Sequence, residues 1–201
     1  MADECLICGK PLQYFTQDKP MTCTLCGKTE PSTVCCEAGH YVCNECHTQG
    51  IDTILSLCLA HKGTDPGILL LQLMAQPFCH MHGPEHHILV GASLLTAYYN
   101  TTARTGLADA LQQMLKRGRQ VPGGTCGFWG ACGAGISTGM YLSILTGATP
   151  LKQDEWGLSN RMTAAALSAI GQVGGPRCCK RDSFLALRAA VDFTKEHFDV
   201  S

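Results

Sequence analysis

Residues 51–63 read IDTILSLCLAHKG, and the spacing of their apolar members decides the kind of fold to expect. Ile51, Ile54, Leu55, Cys58 and Leu59 recur at intervals of three and four, which lays them on one face of an α-helix ending near His61-Lys62-Gly63. Strict alternation, the mark of a half-buried strand, is almost absent from here to the C-terminus. The same spacing predicts a helix over 67–76, opened by Asp65-Pro66, and further helices over 84–99, 107–119, 129–145, 160–173 and 178–198. Short Gly/Pro-rich connections join them, so the fold class is mainly α: a compact helical bundle spanning 49–201. Gly-Ala-Gly and Ser-Thr-Gly within 133–139 imply close helix–helix approach, or backbone exposed to a ligand.

Upstream, the pattern changes. The chain holds fourteen cysteines, and eight of them fall in the first 46 residues. They open as CLIC (Cys5, Cys8) and CTLC (Cys23, Cys26), each followed by Gly-Lys, the form of a zinc knuckle in which glycine lets amide N–H groups turn toward the sulfurs. C-x2-C-x14-C-x2-C is close to a four-cysteine zinc-ribbon spacing. CCEAGHYVCNEC then offers Cys35 or Cys36 with His40, Cys43 and Cys46 as a second complete set, with His47 to spare. Residues 1–48 are therefore expected to be a small module with two Cys/His sites for zinc, or for iron in a rubredoxin-like site. Sequential and cross-braced pairings are both open; a cross-brace would join Cys5 and Cys8 to Cys36 and His40. Four protein ligands per ion mark structural sites, and so short and polar a segment needs such staples to fold. The module is expected to dock a protein partner or to cover the main domain.

Composition narrows the function classes. Across 201 residues, 45% are hydrophobic and 15% charged, as in a folded protein, and the net charge is −1. Near-neutrality argues against nucleic acid or an anionic membrane surface as the main partner. The start MADECLICGK is not signal-like and no apolar run reaches membrane-spanning length, so a cytoplasmic location is expected. Disulfides are disfavoured there, which leaves metal ligation, redox chemistry or burial for the cysteines.

Three loops of the helical region share one grammar: a glycine or Gly-Pro breaker, then Cys or His at a helix start. They are HMHGPEHH (80–87), GGTCGFWGACGAG (123–135) and GGPRCCKR (174–181). Pro84 and Pro176 suit a first helical turn, where unpaired N–H groups and the dipole favour thiolates or a bound anion. Arg177, Lys180 and Arg181 push the same way. Cys126, Cys132, Cys178 and Cys179, with a histidine from His82 or His86, would together make a metal or iron–sulfur site or, failing metal, a redox dithiol. Adjacent helical residues diverge by about 100°, so only one of Cys178 and Cys179 need face a shared site, and His86 and His87 cannot both face one way. Glu85 is the candidate general acid/base, and it equally suits a first-turn carboxylate. Arg177 and Lys180 would hold a small anionic substrate, Tyr98, Tyr99 and Asn100 would add polar contacts, and Phe128 and Trp129 would exclude water. Cys58 and Cys79 read as packing residues.

With HGPEHH, GGTCGFWGACGAG and GPRCCKR in view, residues from about 50 to 195 resemble an uncharacterised cysteine-rich domain family of anaerobic bacteria and archaea. Its members occur alone or fused to radical-SAM or SAM-dependent methyltransferase domains. The resemblance implies an anaerobic host and metal or sulfur chemistry, and carries no reaction with it. The function expected is a metal-dependent redox or sulfur-handling enzyme, with zinc at the N-terminus and an iron–sulfur cluster or second metal in the helical domain. The alternative is a zinc-binding adaptor that docks to a partner enzyme.

Overall fold

A computed structural model describes residues 4–47, 50 and 52–200. The chain divides into two compact units, Met1–Gln49 and Gly50–Ser201. Ile51, placed by its spacing on the first apolar face, lies outside the described residues.

The first unit is a two-stranded antiparallel hairpin, β1 (Leu12–Thr22) and β2 (Thr29–Cys36), followed by one helical turn, α1 (Asn44–His47). The register runs from Leu12 opposite Cys36 to Thr22 opposite Thr29, with an irregularity between Tyr14 and Lys19. A lone hairpin is marginal in water. Its apolar support is slight: Cys23, Tyr41 and Cys43 form the buried cluster, with Met21 and Cys46 against it. Most of β1 is exposed on both faces, so it lacks the alternation that would announce a strand.

The second unit is built around α4 (His86–Thr101), whose sequence HHILVGASLLTAYYNT contains no Asp, Glu, Lys or Arg. Thirteen of its sixteen residues are buried, because a helix without a polar face must be covered on all sides. The cover comes from α2 (Thr53–Ala60), α3 (Pro66–Met74), α5 (Leu107–Gly118), α7 (Gly133–Thr146) and α9 (Cys179–His197). The longest helix, α8 (Gln153–Val173), packs on α7 and α9. Local signals place these elements. Asp65 caps α3, its Oδ1 accepting from the Gly67 and Ile68 amides at 2.7 and 3.3 Å, with Pro66 beginning the helix. Ala110, Leu111, Met114 and Leu115 give α5 its single buried face.

Two boundaries depart from the spacing. A helix predicted over 129–145 begins at Gly133; Thr125–Phe128 forms a separate turn, α6, and Gly130 at φ 66° redirects the chain between them. The helix predicted from 160 begins at Gln153, because its first turn carries Asp154 and Glu155 rather than apolar residues. Within the Gly-rich stretch, a Cβ on Gly139 would overlap Thr163 and stand 3.1 Å from the Ser159 carbonyl, so glycine is what admits α8. Among the described residues, no helix is long and apolar enough to cross a membrane.

Candidate metal centres and a convergence of helix starts

The first unit gathers its ligands in two sets of four. Cys5, Cys8, Cys36 and His40 form one, and Cys23, Cys26, Cys43 and Cys46 the other; within each set the ligand atoms all lie within 4.8 Å of one another. Along the chain the pairs alternate between sets, so the arrangement is cross-braced. The knuckles explain the placement. Cys5 and Cys23 each accept from the glycine four residues on and donate to the lysine beyond it, with Gly9 and Gly27 at φ 69° and 74°. Cys36, Gly39 and His40 repeat that turn: Gly39 N–H donates to the Cys36 carbonyl, and Cys36 N–H to that of His40. Cys35 is the neighbour left out, since successive strand residues face opposite ways.

The distances fit a tetrahedral ion. Zinc–sulfur bonds of ~2.3 Å imply sulfur–sulfur edges of about 3.8 Å. Cys8 and Cys36 stand 3.8 Å apart and Cys26 and Cys43 3.7 Å, while His40 Nδ1 is 3.3 Å from Cys8 and 3.9 Å from Cys5. All of these cysteines are free thiols. Backbone amides supply partial positive charge to the sulfurs: Ile7 N–H to Cys5, His40 N–H to Cys36 and Cys43 N–H to Cys23. Burial opposes the Cys23 thiolate, yet the amides of Cys43, Cys26 and Leu25 outweigh it and bring the group down to about 6. Cys36 is likewise drawn down to about 7 against burial, chiefly by the amides of His40 and Ala38. Their partners go the other way: hydrogen bonds to neighbouring sulfurs and burial raise Cys8, Cys43 and Cys46, so each set favours one thiolate by itself and a cation is what would ionise the rest.

In the second unit, three helix starts distant in sequence come together. Gly83 N–H, in the loop before α4, points at the Cys179 sulfur in the first turn of α9. His86 Nδ1 lies 3.1 Å from Ser183 Oγ, also in α9. At the start of α7, a Cβ on Gly133 would overlap the His87 ring. The sulfurs of Cys126 and Cys132 both bear on the charge of Cys179, so they share its neighbourhood. Arg177 favours the Cys179 thiolate, and Lys180 acts on Cys79 and His86. His86 and His87 diverge as their spacing requires: His86 turns to α9, and His87 donates to the Val121 carbonyl at 3.1 Å.

Several expectations for this region need correction. The helix starts do not lower the thiols overall, because burial outweighs the dipole. Burial pushes Cys179 up to about 12, above the pull of Gly83 and Arg177, and it also raises Cys132 over the amides of Ala134 and Gly135. Among the described residues, no close set of three or more ligand atoms includes Cys126, Cys132, Cys178, Cys179 or His82. Tyr98 is at the far end of α4, about 18 Å along the axis from His86, edge-on to Tyr141 and Phe198. Asn100 there ties down the carbonyls of His61 and Gly63. Trp129 is 69% exposed and Phe128 47%, so neither seals the site. Glu85 stands at the start of α4, where its reading as a helix-start carboxylate puts it, but it is fully buried, accepts from His80 N–H at 2.8 Å and has His80 Nδ1 at 3.4 Å.

Cys79, read as packing, does lie in the buried hydrophobic cluster, and it also joins Glu85 and His86 in a close set of ligand atoms that the sequence pattern does not group. Its signal was its distance from the histidine: loop 80–85 folds back, so Cys79 Sγ sits 3.8 Å from His86 Nε2.

A model for a family of unknown function (DUF5714) matches residues 54–201, which agrees with the resemblance to an uncharacterised domain family. No curated protein matches, and no solved structure does.

Proposed function

The chain belongs to the DUF5714 family, whose function is unknown, and we propose that it is a metal-dependent redox or sulfur-handling enzyme. Its N-terminal unit serves as a zinc-stapled accessory. The observation that supports the reading is the meeting of the starts of α4, α7 and α9, which puts Cys126 and Cys132 within electrostatic reach of Cys179 and ties His86 to α9 through Ser183. These sulfurs are the reacting groups, and Arg177 and Lys180 provide the positive side for a small anionic substrate. A metal-free dithiol is less well supported, because Cys132 and Cys179 are held protonated by burial and an unaided thiol reacts through its thiolate. A divalent ion or iron–sulfur cluster nearby would supply the missing charge and lower both groups. An anaerobic host, as the motif resemblance implies, would keep such sulfurs reduced.

The test is anaerobic purification of the full chain, with metal and acid-labile sulfide measured per chain and alkylation mapped at Cys126, Cys132 and Cys179. Metal beyond the two N-terminal equivalents, with Cys132 and Cys179 alkylated faster when it is present, is the expected result. Two zinc ions, no sulfide and metal-independent alkylation would overturn it.

A second reading, a docking adaptor, is favoured by one observation. Each knuckle tip presents aliphatic side chains to solvent: Leu6 and Ile7 on the first, and Leu25, 56% exposed, on the second. That reading predicts that Leu25→Asp abolishes capture of a partner while leaving metal content unchanged.

A further inference from the structure

We infer that Cys79, Glu85 and His86 form a divalent-cation site in the helical domain, separate from the two N-terminal sets. The inference rests on the proposed metal dependence and says where that metal is held.

Glu85 is fully buried, His86 is 1% exposed and Cys79 is buried beside them; one ligand atom from each lies within 4.8 Å of the other two. In the metal-free chain His86 Nε2–H donates to the His80 carbonyl at 3.1 Å, as His87 does to Val121. With an ion present the other tautomer would serve: Nδ1–H would donate to Ser183 Oγ at 3.1 Å, whose own proton goes to the Cys179 carbonyl at 2.7 Å, and Nε2, 3.8 Å from the Cys79 sulfur, would take the ion. Sulfur, imidazole nitrogen and carboxylate converge where water is excluded, an arrangement that a bound cation stabilises. Glu85 Oε1 also has His80 beside it, the ring Nδ1 at 3.4 Å, so a bound cation would share that carboxylate with His80.

The surroundings have the form of a metal site. A ligating histidine ordinarily donates its other ring N–H to a fixed acceptor, and Ser183 takes that role here. One sulfur, one nitrogen and one carboxylate oxygen suit a borderline ion such as Zn²⁺, Fe²⁺ or Co²⁺ rather than Mg²⁺ or Ca²⁺. Three protein ligands leave one position of a tetrahedron open, as in catalytic rather than structural sites. Ser183 also ties the site to the neighbouring sulfur, since its hydroxyl binds the carbonyl of Cys179.

The experiment uses the full chain, shown by metal analysis to carry two zinc equivalents and no third, with Co²⁺ added last under anaerobic conditions. Cobalt should bind at one equivalent, with X-ray absorption showing one sulfur among nitrogen and oxygen ligands. Cys79→Ser and Glu85→Gln should each abolish that equivalent. Ser183→Ala should weaken it ten- to a hundredfold, and Cys132→Ala and Cys179→Ala should leave it bound. A cobalt shell of two or three sulfurs, or loss of cobalt in Cys132→Ala or Cys179→Ala but not in Cys79→Ser, overturns this assignment while the metal-dependent reading stands. Absence of any cobalt equivalent overturns both. The wild-type spectrum decides the matter even if a variant fails to fold.

Discussion

Replacing Gly133 with alanine should destabilise the helical domain, although Gly→Ala inside a helix ordinarily stabilises. At Gly133 the new Cβ would overlap the His87 ring and lie 2.6 Å from its Cγ. The ring cannot swing away cheaply, because it is buried and Nδ1 donates to the Val121 carbonyl at 3.1 Å. Overpacking of this kind costs about 1–3 kcal/mol. Losing the hydrogen bond adds roughly 1 kcal/mol, and better helix propensity returns at most about 1 kcal/mol. The net expectation is a loss of about 2 kcal/mol. Gly171 supplies the control: it also lies in a helix, but nothing stands within 4 Å of its would-be Cβ. Gly171→Ala should gain roughly 0.5–1 kcal/mol. Urea denaturation of the full chain, followed by circular dichroism with metal held constant, reads both. If the two variants shift the midpoint in the same direction, the account of the α4–α7 contact is wrong.

Chelation supplies another check: the seven cysteines in the two N-terminal sets should be protected from a thiol reagent in the metal-loaded protein and become reactive once metal is stripped. Mass spectrometry that finds them equally reactive in both states would contradict the ligand assignment. Cys58 is fully buried and burial pushes its thiol up to about 11, so native protein at pH 8 should leave it unalkylated while urea-unfolded protein does not. Asp65→Ala should cost about 1 kcal/mol of stability by uncapping α3, and Asp65→Asn much less, as judged by thermal melts.

Much of the architecture was legible because the chain writes it in local signals. Asp65-Pro66 announces α3, and CLICGK and CTLCGK announce the knuckles by composition. Legibility failed where the deciding contacts are non-local. The knuckles say that two cysteines act together, not which later pair completes them; the hairpin register, bringing Cys36 opposite Leu12, settles that. The helix-start grammar found the loops that converge but misjudged the thiols, since dipole and cationic neighbours can be read along the chain and burial cannot. Cys79 shows the same limit. Glu85 and His86, its neighbours in the close set, are six and seven positions on, a spacing with meaning only once the loop between them doubles back.

The alternation of ligand pairs along the first 46 residues also bears on how the protein is made. As the chain leaves the ribosome, the sulfurs of Cys5, Cys8, Cys23 and Cys26 emerge before Cys36, His40, Cys43 and Cys46, the residues that complete their two sets. The first four match a ribbon spacing and can seize one ion among themselves. Such a capture would be the wrong pairing, to be undone by ligand exchange when Cys36 and His40 arrive. Metal met early would then slow maturation, and metal met after residue 46 has cleared the tunnel would aid it.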